Sequence, residues 1–344
     1  MRRSRVPRRV WIVALTGVAL VVGAIVVVRS REGGAGDTVP TIAADALQAA
    51  GKACGMGTPG RYRHVIWIWM ENQNYDSIIG SKYAPFTNRL AASCGLATNY
   101  HNITHPSLPN YIAATSGSTL GITDDCDPAA CSRNSESLFG QVQAAGLTWT
   151  AYAESMPSAC DLKDGSGSNP DGDYTAHHDP AAYYLPLRGQ CHQRIVALGT
   201  PSSGAFAHAL RTGSLPAFSF ISPNDCDNTH DCPVSTGDVW LSHWVTAIVS
   251  SRAYRARGTV LFITWDEGEK GGSNNCSLNT VTAGCHVAML VVSPSTGPGT
   301  RSNPIYNHYS LLQTTEQLLG ITTYLGHAND ASTASMLSAF HLRD

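Results

Sequence analysis

The chain has 344 residues, of which 43% are hydrophobic and 14% are charged, a composition typical of a globular protein and not of a disordered one. Its formal net charge of −2 argues against nucleic acid as a partner and predicts no partner of strong opposite charge. The thirteen histidines are more informative than this balance, because histidine titrates close to neutral pH.

The first predicted element is a membrane segment. Five of the first nine residues are arginine, and the nineteen residues 10–28 that follow carry no charge. A helix of that length spans roughly 28 Å, close to the thickness of a hydrocarbon core, and the arginines place the N terminus inside. We expect a signal anchor over 1–31 with the rest of the chain outside. A cleaved secretion signal, with a weak site over 33–36, is the alternative.

A tether is predicted between this segment and the catalytic region. Residues 32–60 are rich in Gly, Ala, Thr and Pro and show little periodicity. The catalytic domain is expected over 61–344, since the sequence shows no internal repeat and no second linker. Strand-like and helical patterns alternate along it. This alternation predicts an α/β fold with a mostly parallel central sheet and helices on both faces.

The elements of this domain can be predicted in chain order. They are strand 64–70, a helix from Pro109, helix 136–145, strand 148–153, strand 217–221, helix 239–250, strand 259–265, strand 287–293 and helix 309–319. The region 126–216 is rich in Gly, Ser, Asp and Pro, and long irregular segments in compact domains usually carry function. We expect this region to form a cap over the active site.

Ten cysteines predict disulfides and an oxidising compartment. Three pairs lie close in sequence, at 126 and 131, 226 and 232, and 276 and 285. Pairing between these neighbours is the simplest arrangement, although spacing alone leaves the connectivity open. A structural zinc site is disfavoured because no Cys-x-x-Cys pair occurs.

Two polar strings follow the two most apolar predicted strands. Glu71 and Asn72 end the first strand, and Asp266 and Glu267 end the strand 259–265. In open α/β sheets the functional side chains collect beyond the carboxyl ends of the strands. Carboxylates gathered there repel one another unless a cation relieves them, so the sequence predicts one divalent metal ion.

Ser107 is the candidate nucleophile. It comes just before Pro109 at the start of a predicted helix, where free N–H groups and the helix dipole favour a phosphate dianion. A serine at such a place could also be a simple N-cap. Coordination to a divalent cation would lower the pKa of the hydroxyl and make it a competent nucleophile.

Seven short motifs occur in a fixed order that resembles one known family. They are Glu71-Asn72, Ser107-Leu108-Pro109-Asn110, His178-Asp179-Pro180, Ser222-Pro223-Asn224 with His230-Asp231, Asp238-Val239-Trp240-Leu241, Trp265-Asp266-Glu267-Gly268 and Asn307-His308-Tyr309-Ser310. The order resembles the bacterial phosphoesterase family of secreted acid phosphatases and phospholipases C, within the alkaline phosphatase superfamily. The similarity covers roughly residues 62–322 and is strongest to secreted acid phosphatases of actinobacteria.

The resemblance implies an alkaline-phosphatase-like fold and a role for each matched residue. The implied metal ligands are Glu71, Asn72, Ser107, Asp266 and Glu267, and Ser107 attacks phosphorus. The implied catalytic or phosphate-binding histidines are His178, His230 and His308, and the implied substrate-binding residues are His105, Asn110 and Asp231. Family members often have a second aspartate where this chain has Glu267, which leaves the metal open among Ca²⁺, Mg²⁺, Mn²⁺ and Zn²⁺.

The predicted function is hydrolysis of phosphate monoesters outside the cytoplasm, through a phosphoserine intermediate. The substrate is a phosphate ester, with a phospholipid headgroup as one option, and we expect a monomer that contacts the membrane through its N-terminal helix. A phospholipase C that cleaves phosphodiesters and a non-catalytic anchored binding protein are the alternatives. His230 could instead be a turn residue of a disulfide loop, and Asp238 could cap the helix that follows it or orient a histidine.

Overall fold

A nine-stranded sheet lies at the centre of the chain in the computed structural model, which describes residues 38–57, 61–165, 172–269, 276 and 282–343. The strands are β1 His64–Met70, β2 Gly95–His101, β3 Trp149–Ala153, β4 Ile195–Ala197, β5 Phe218–Ser222, β6 Thr259–Trp265, β7 His286–Val292, β8 Arg301–Ser302 and β9 Tyr306–Asn307. Their order is β4-β3-β5-β1-β6-β7-β2-β8, with β9 also paired to β2. β7 is antiparallel to both neighbours and the other described pairs are parallel, which confirms the predicted mostly parallel sheet.

Helices flank the sheet in two groups. They are α1 Ala44–Lys52, α2 Tyr75–Ile78, α3 Pro85–Ser93, α4 Ser107–Ser116, α5 Pro128–Cys131, α6 Leu138–Ala144, α7 Cys191–Arg194, α8 Ala205–Thr212, α9 Val234–Ser250, α10 Arg252–Arg255 and α11 His308–Leu318. Helices α1, α3, α8, α9 and α10 pack among themselves, and α4 packs with α6 and α11. The two groups fit the predicted helical layer on each face of the sheet.

β1 and β6 form the middle of the core. Every residue of β6 is buried, and so is every residue of β1 after His64. Such continuous apolar burial is typical of parallel strands covered on both faces. Trp67 of β1 also donates its Nε1–H to Thr315 Oγ1 of α11 at 3.0 Å, which satisfies the one polar atom of a fully buried indole. The two strands therefore form a rigid base for the residues at their carboxyl ends.

The structure corrects the predicted tether over 32–60. Residues 44–52 form α1, which buries Ala46 and Ala50 and packs against α3 and α9. Cys54 then forms a disulfide with Cys94 at the end of α3. The sequence concealed this helix because its buried face consists of alanine and gives a weak apolar period. The folded part of the chain therefore begins before Arg61.

The region 126–216 contributes more to the sheet than a cap would. It contains β3, β4, α6 and α8, so that the part lying over the site is reduced to short 3₁₀ turns around 176–190. The sequence did not predict β4, which has only three residues, or β2, whose Thr98 and Asn99 interrupt its apolar pattern. Local apolar pattern is too weak a signal for strands of this kind.

The predicted membrane segment over 1–31 lies outside the described residues. Among the residues that are described, no helix combines the length and the apolar character needed to cross a membrane. All ten cysteines are paired, and the bonds Cys126–Cys131, Cys226–Cys232 and Cys276–Cys285 confirm the predicted pairing of neighbours. Cys160–Cys191 and Cys54–Cys94 complete the set.

Candidate active site

The polar strings that follow the two central strands lie next to each other. Met70 and Trp265 are register partners at the ends of β1 and β6, so Glu71 and Asp266 emerge side by side. The Asp266 N–H donates to Met70 O at 2.9 Å, and the Asn72 N–H donates to Asp266 Oδ1 at 3.1 Å. Asn72 has a left-handed backbone with φ 54°, which asparagine tolerates better than most residues. The sheet register thus brings both strings into one cluster.

The hydroxyl of Ser107 reaches this cluster. Ser107 is the first residue of α4, and Pro106 occupies the N-cap position without a side-chain hydrogen bond. Ser107 Oγ donates to Glu71 Oε2 at 3.1 Å, and its side chain is buried. The alternative in which Ser107 only caps its helix is therefore wrong, because the hydroxyl is directed at a carboxylate.

One backbone N–H at the start of α4 is already occupied. Leu108 N–H donates to Asp125 Oδ1 at 2.8 Å. A carboxylate therefore occupies one of the N–H groups that the sequence predicted to bind phosphate. A negative charge at a helix N terminus is stabilised by the helix dipole. A phosphate bound at this N–H would therefore have to displace Asp125.

Burial and mutual repulsion raise the pKa values of the clustered carboxyls. The pKa of Asp266 rises to about 7, first because the group is buried and then because Glu267 carries a like charge nearby. The pKa of Glu71 lies well above its ordinary value, from burial first and the charge of Asp266 second. Asp266 Oδ2 is buried and has no hydrogen bond among the described residues. An unsatisfied oxygen among repelling carboxylates fits a divalent cation.

Glu267 lies beside the residues that flank the nucleophile. Its Oε2 accepts a hydrogen bond from Asn110 Nδ2 at 3.1 Å, and its Oε1 lies 3.1 Å from His105 Nδ1. Asn110 Oδ1 in turn accepts the N–H groups of Ile103 and Thr104 at 2.9 and 3.0 Å. The two residues predicted to bind substrate here, Asn110 and His105, thus contact a predicted metal ligand.

His178 lies between two carboxylates. Its Nε2 is 3.3 Å from Glu71 Oε1, and its Nδ1 is 3.4 Å from Asp225 Oδ1. Its ring stacks on Tyr111, with centroids 5.3 Å apart and an interplanar angle of 15°. Burial, followed by the charge of His177, lowers the pKa of His178 to about 4. The structure therefore brings this predicted histidine to the carboxylate cluster, in a buried place that disfavours its charged form.

The sequence did not predict two residues of the site. Tyr111 follows Ser107 by one helical turn, and its hydroxyl donates to Glu71 Oε1. Asp225 pairs with His178 from a separate loop. The i, i+4 spacing on α4 is a signal that could have identified Tyr111, because such residues share one face of a helix. No pattern around Asp225 indicates its contact with His178.

His230 and Asp231 lie at the exposed edge of the site. His230 Nδ1 is 2.7 Å from Asp231 Oδ1, and the side chains are 45% and 66% exposed. The ring centroid of His230 is 6.4 Å from that of His178. Both residues belong to the loop closed by the Cys226–Cys232 disulfide. His230 is thus part of a disulfide loop and also lies beside the buried histidine.

His308 supports the site from within the core. It is fully buried, its Nε2 lies 2.6 Å from the backbone oxygen of Asp266, and its Nδ1 lies 2.9 Å from Tyr100 Oη. Both ring nitrogens are therefore engaged. A contact between His308 and a substrate would require one of these bonds to break.

Asp238 has neither of its two predicted roles. It lies inside α9, and its carboxylate accepts the N–H groups of Phe86 and Thr87 at 2.9 and 2.8 Å. These are early residues of α3, which has no side-chain cap of its own. Asp238 therefore caps a helix that is distant in sequence, which no local pattern could indicate.

Known proteins resemble this chain in sequence. A family model described as Phosphoesterase family matches residues 81–322. A phosphatidylinositol-3-phosphatase of Mycobacterium tuberculosis is 32% identical over 270 residues, which cover 78% of this chain and 81% of the relative. An acid phosphatase of Aspergillus fumigatus is 25% identical over 249 residues, or 71% of this chain and 52% of the relative. The chain thus spans about half the length of this fungal protein.

Solved structures resemble it in fold. A protein of the alkaline phosphatase superfamily from Vibrio parahaemolyticus gives a TM-score of 0.54 at 12% identity, covering 83% of this chain and 78% of that one. Murine ectonucleotide pyrophosphatase/phosphodiesterase 5 gives a TM-score of 0.51 at 11% identity, covering 77% of this chain and 96% of that one. At such low identity the likeness concerns the fold alone, and it confirms the predicted alkaline-phosphatase-like architecture.

Proposed function

This chain belongs to the phosphoesterase family and hydrolyses phosphoric ester bonds, and from that premise we propose that it is a metal-dependent phosphomonoesterase with Ser107 as its nucleophile. The observation that carries the proposal is the 3.1 Å hydrogen bond from Ser107 Oγ to Glu71 within a buried carboxylate cluster. The bond directs the hydroxyl at a carboxylate oxygen, which is the group that a serine nucleophile needs to accept its proton.

The residues that would hold the metal are those of the cluster. They are Glu71, Asn72, Ser107, Asp266 and Glu267. The unpaired Asp266 Oδ2 and the raised pKa values of Asp266 and Glu71 support one divalent cation, whose positive charge would favour ionised carboxylates there. When bound, such a cation supplies charge that lowers the pKa of an alcohol and offsets charge on phosphoryl oxygens.

The chain's own residues then account for each transfer. Ser107 Oγ forms a bond to phosphorus, and its proton passes to the acceptor that it already contacts, Glu71 Oε2. The bond between phosphorus and the leaving oxygen breaks, and His230 at the exposed edge protonates that oxygen. Water next attacks the phosphorus of the phosphoserine and gives its proton to His230, while the bond from phosphorus to Ser107 Oγ breaks and Glu71 returns its proton to that oxygen. Phosphate leaves, and the Ser107 hydroxyl is restored.

The neighbouring residues position these groups. Asp225 and Tyr111 flank the His178 ring, and the ring lies against Glu71, where it would contact a phosphoryl oxygen of the bound ester. His308 holds the backbone oxygen of Asp266 and so fixes the end of β6. Asn110 and His105 keep the Glu267 carboxylate next to the start of α4.

The protein acts outside the cytoplasm in this proposal. Five disulfides are typical of an oxidising compartment. An arginine-rich start followed by the uncharged stretch 10–28 is typical of an exported or anchored chain. We place phosphate monoesters first as substrates, because the curated relatives are named as phosphatases. Phosphate monoesters on an inositol ring are a specific candidate, because the mycobacterial relative is named as a phosphatidylinositol-3-phosphatase.

The test compares p-nitrophenyl phosphate with its choline diester, using the full-length chain, Ser107→Ala and the exposed control Ser214→Ala. We expect faster turnover of the monoester, a loss of about 10³-fold or more in kcat/KM for Ser107→Ala, and no change for Ser214→Ala. Acid quenching with ³²P-labelled monoester should leave the label on the Ser107 peptide. Faster turnover of the diester would overturn the monoester assignment, and wild-type rates in Ser107→Ala would overturn the nucleophile.

A further inference from the structure

The amino edge of the sheet carries a concentration of basic side chains far from the site. Seven exposed residues form this amino-edge patch: Lys52, Arg61, Arg63, Arg252, Arg255, Arg257 and Arg343. Arg61 and Arg63 immediately precede β1, and Arg255 and Arg257 immediately precede β6. Because His64 and Thr259 are partners in parallel strands, these arginines lie at the same end of the sheet. The carboxylate cluster lies at the opposite end.

Members of the patch also line shared cavities. Arg61 and Arg343 line one cavity, and Lys52 and Arg255 line another together with Asp45. The Arg257 guanidinium lies 3.3 Å from the place that a Cβ would take at Gly57.

The seven basic side chains are not used within the fold. Among the described residues none of them makes a side-chain hydrogen bond or an ion pair, while Arg133, Arg194 and Arg301 elsewhere each donate to backbone oxygens. Asp45 is the one acidic residue among those that line the cavity of Lys52 and Arg255. A surface with this excess of positive charge repels itself and attracts anions.

The patch also has a shaped centre. Arg61 and Arg343 stand at a cavity of about 410 Å³ whose other walls include Leu318, Leu337 and Leu342. A second cavity of about 460 Å³ shares Leu337 and Arg343 with it. One guanidinium group can bind two phosphate oxygens at once. The leucines form an apolar floor beneath the two arginines. A cationic rim over an apolar floor complements a molecule that has a phosphate next to apolar groups.

We propose that the amino-edge patch is a docking surface for anionic phospholipid bilayers, with the cavity between Arg61 and Arg343 taking a headgroup phosphate. The negative potential of such a bilayer attracts each nearby Lys or Arg, and the attraction adds over the patch. The apolar floor favours a lipid over a uniformly polar polyanion such as DNA. Docking through this edge turns the carboxylate cluster toward the solution, so phosphate esters reach it from the aqueous side.

The test measures backbone hydrogen exchange in the full-length chain on nanodiscs. Discs of phosphatidylglycerol should slow exchange in residues 317–322 and 337–343 by about threefold or more relative to discs of phosphatidylcholine, and 0.5 M NaCl should remove the difference. Arg61→Glu with Arg343→Glu should abolish the protection. Lys82→Glu with Arg211→Glu, which changes two exposed basic residues outside the patch, should keep it.

Three results would overturn the proposal. They are equal protection on both kinds of disc, an equal loss in the control pair, and the same protection from duplex DNA at the same ionic strength. Hydrolysis of p-nitrophenyl phosphate and the Tm should be unchanged in Arg61→Glu with Arg343→Glu, which separates a failure of docking from a failure of catalysis. If charge reversal lowers the Tm, Arg61→Gln with Arg343→Gln replaces it in the same comparison.

Discussion

The two halves of the site are built in different ways. The strand half, with Glu71, Asp266 and Ser107, is buried and fixed by the register of β1 with β6 and by the start of α4. The loop half, with His178 and His230, is held by side-chain contacts and by a short disulfide loop, and it extends into solvent. Charges that must repel one another in a fixed arrangement therefore rest on the core, and groups that meet the varied part of a substrate rest on loops.

The sharpest way to break this comparison is Asp266→Asn in the strand half. The change removes a charge from the cluster around the unpaired Oδ2, so metal content and kcat/KM should fall together, the latter by about 10³-fold. Metal analysis of the purified protein and initial rates measure the two effects. Asp76→Asn, an exposed carboxylate, is the matched control and should change neither. Full metal occupancy in Asp266→Asn would remove this residue from the ligand set.

His230→Ala probes the loop half. We expect a loss in kcat of about 10²-fold for alkyl phosphates and a much smaller loss for p-nitrophenyl phosphate, because nitrophenolate leaves without a proton. Metal content should stay at the wild-type level. Rates with glycerol phosphate and p-nitrophenyl phosphate measure the contrast, with His327→Ala as an exposed control that pairs with Asp330 away from the site. Equal losses for both substrates would show that His230 is not the acid.

Tyr111→Phe tests the link between the halves. Tyr111 donates to Glu71 and stacks on His178, so loss of its hydroxyl should weaken metal binding by about tenfold while kcat at saturating metal changes less. Metal titration followed by activity gives both numbers. Tyr184→Phe removes a buried hydroxyl that contacts Thr115, and it should leave the metal affinity unchanged. A wild-type metal affinity in Tyr111→Phe would mean that the halves are independent.

Glu316→Gln changes a buried carboxyl that belongs to neither half of the site, so it should alter the pH dependence of stability and leave the rate of hydrolysis unchanged. Burial raises the pKa of Glu316 to about 7, above its value in an unfolded chain. Between about pH 4.5 and 7 the folded state keeps a proton that the unfolded state releases, so the wild type loses stability as pH rises, by up to about 3 kcal/mol. Glu316→Gln should lack this loss.

Urea unfolding at pH 4.5 and 7.5 measures the effect of Glu316→Gln. Glu136→Gln, an exposed glutamate, should keep the wild-type pH dependence. The same slope in wild type and Glu316→Gln would show that Glu316 is ionised throughout.

The strand half could be predicted from sequence and most supports of the loop half could not. Glu71 and Asp266 each follow an apolar run that is typical of a buried parallel strand. Their position at the carboxyl end of the sheet could therefore be predicted without knowledge of any contact between residues distant in sequence. The partner of His178, Asp225, comes from a separate loop whose path depends on side-chain packing. The antiparallel direction of β7 could not be predicted either, because a continuous apolar run gives no indication of strand direction.

The charge distribution shows another limit of sequence. A net charge of −2 predicted no strongly charged partner, yet that number is a sum over the whole chain. The fold places seven basic side chains, none of which has a hydrogen bond or ion pair to another described residue, at one end of the sheet and the carboxylate cluster at the other. The topology of the sheet sets the end at which each loop emerges. It therefore places the positive charges of the patch and the negative charges of the cluster at opposite ends.

The complete burial of α4 has a consequence for redesign of the substrate range. All ten residues from Ser107 to Ser116 are buried, so a substitution on this helix disturbs packing as well as chemistry. Mutant libraries aimed at new esters should therefore leave α4 unchanged and vary the 3₁₀ turns near His178 and the Cys226–Cys232 loop. In natural lineages too, we expect sequence drift and new specificities to accumulate in those segments while the helix that carries the nucleophile stays nearly constant.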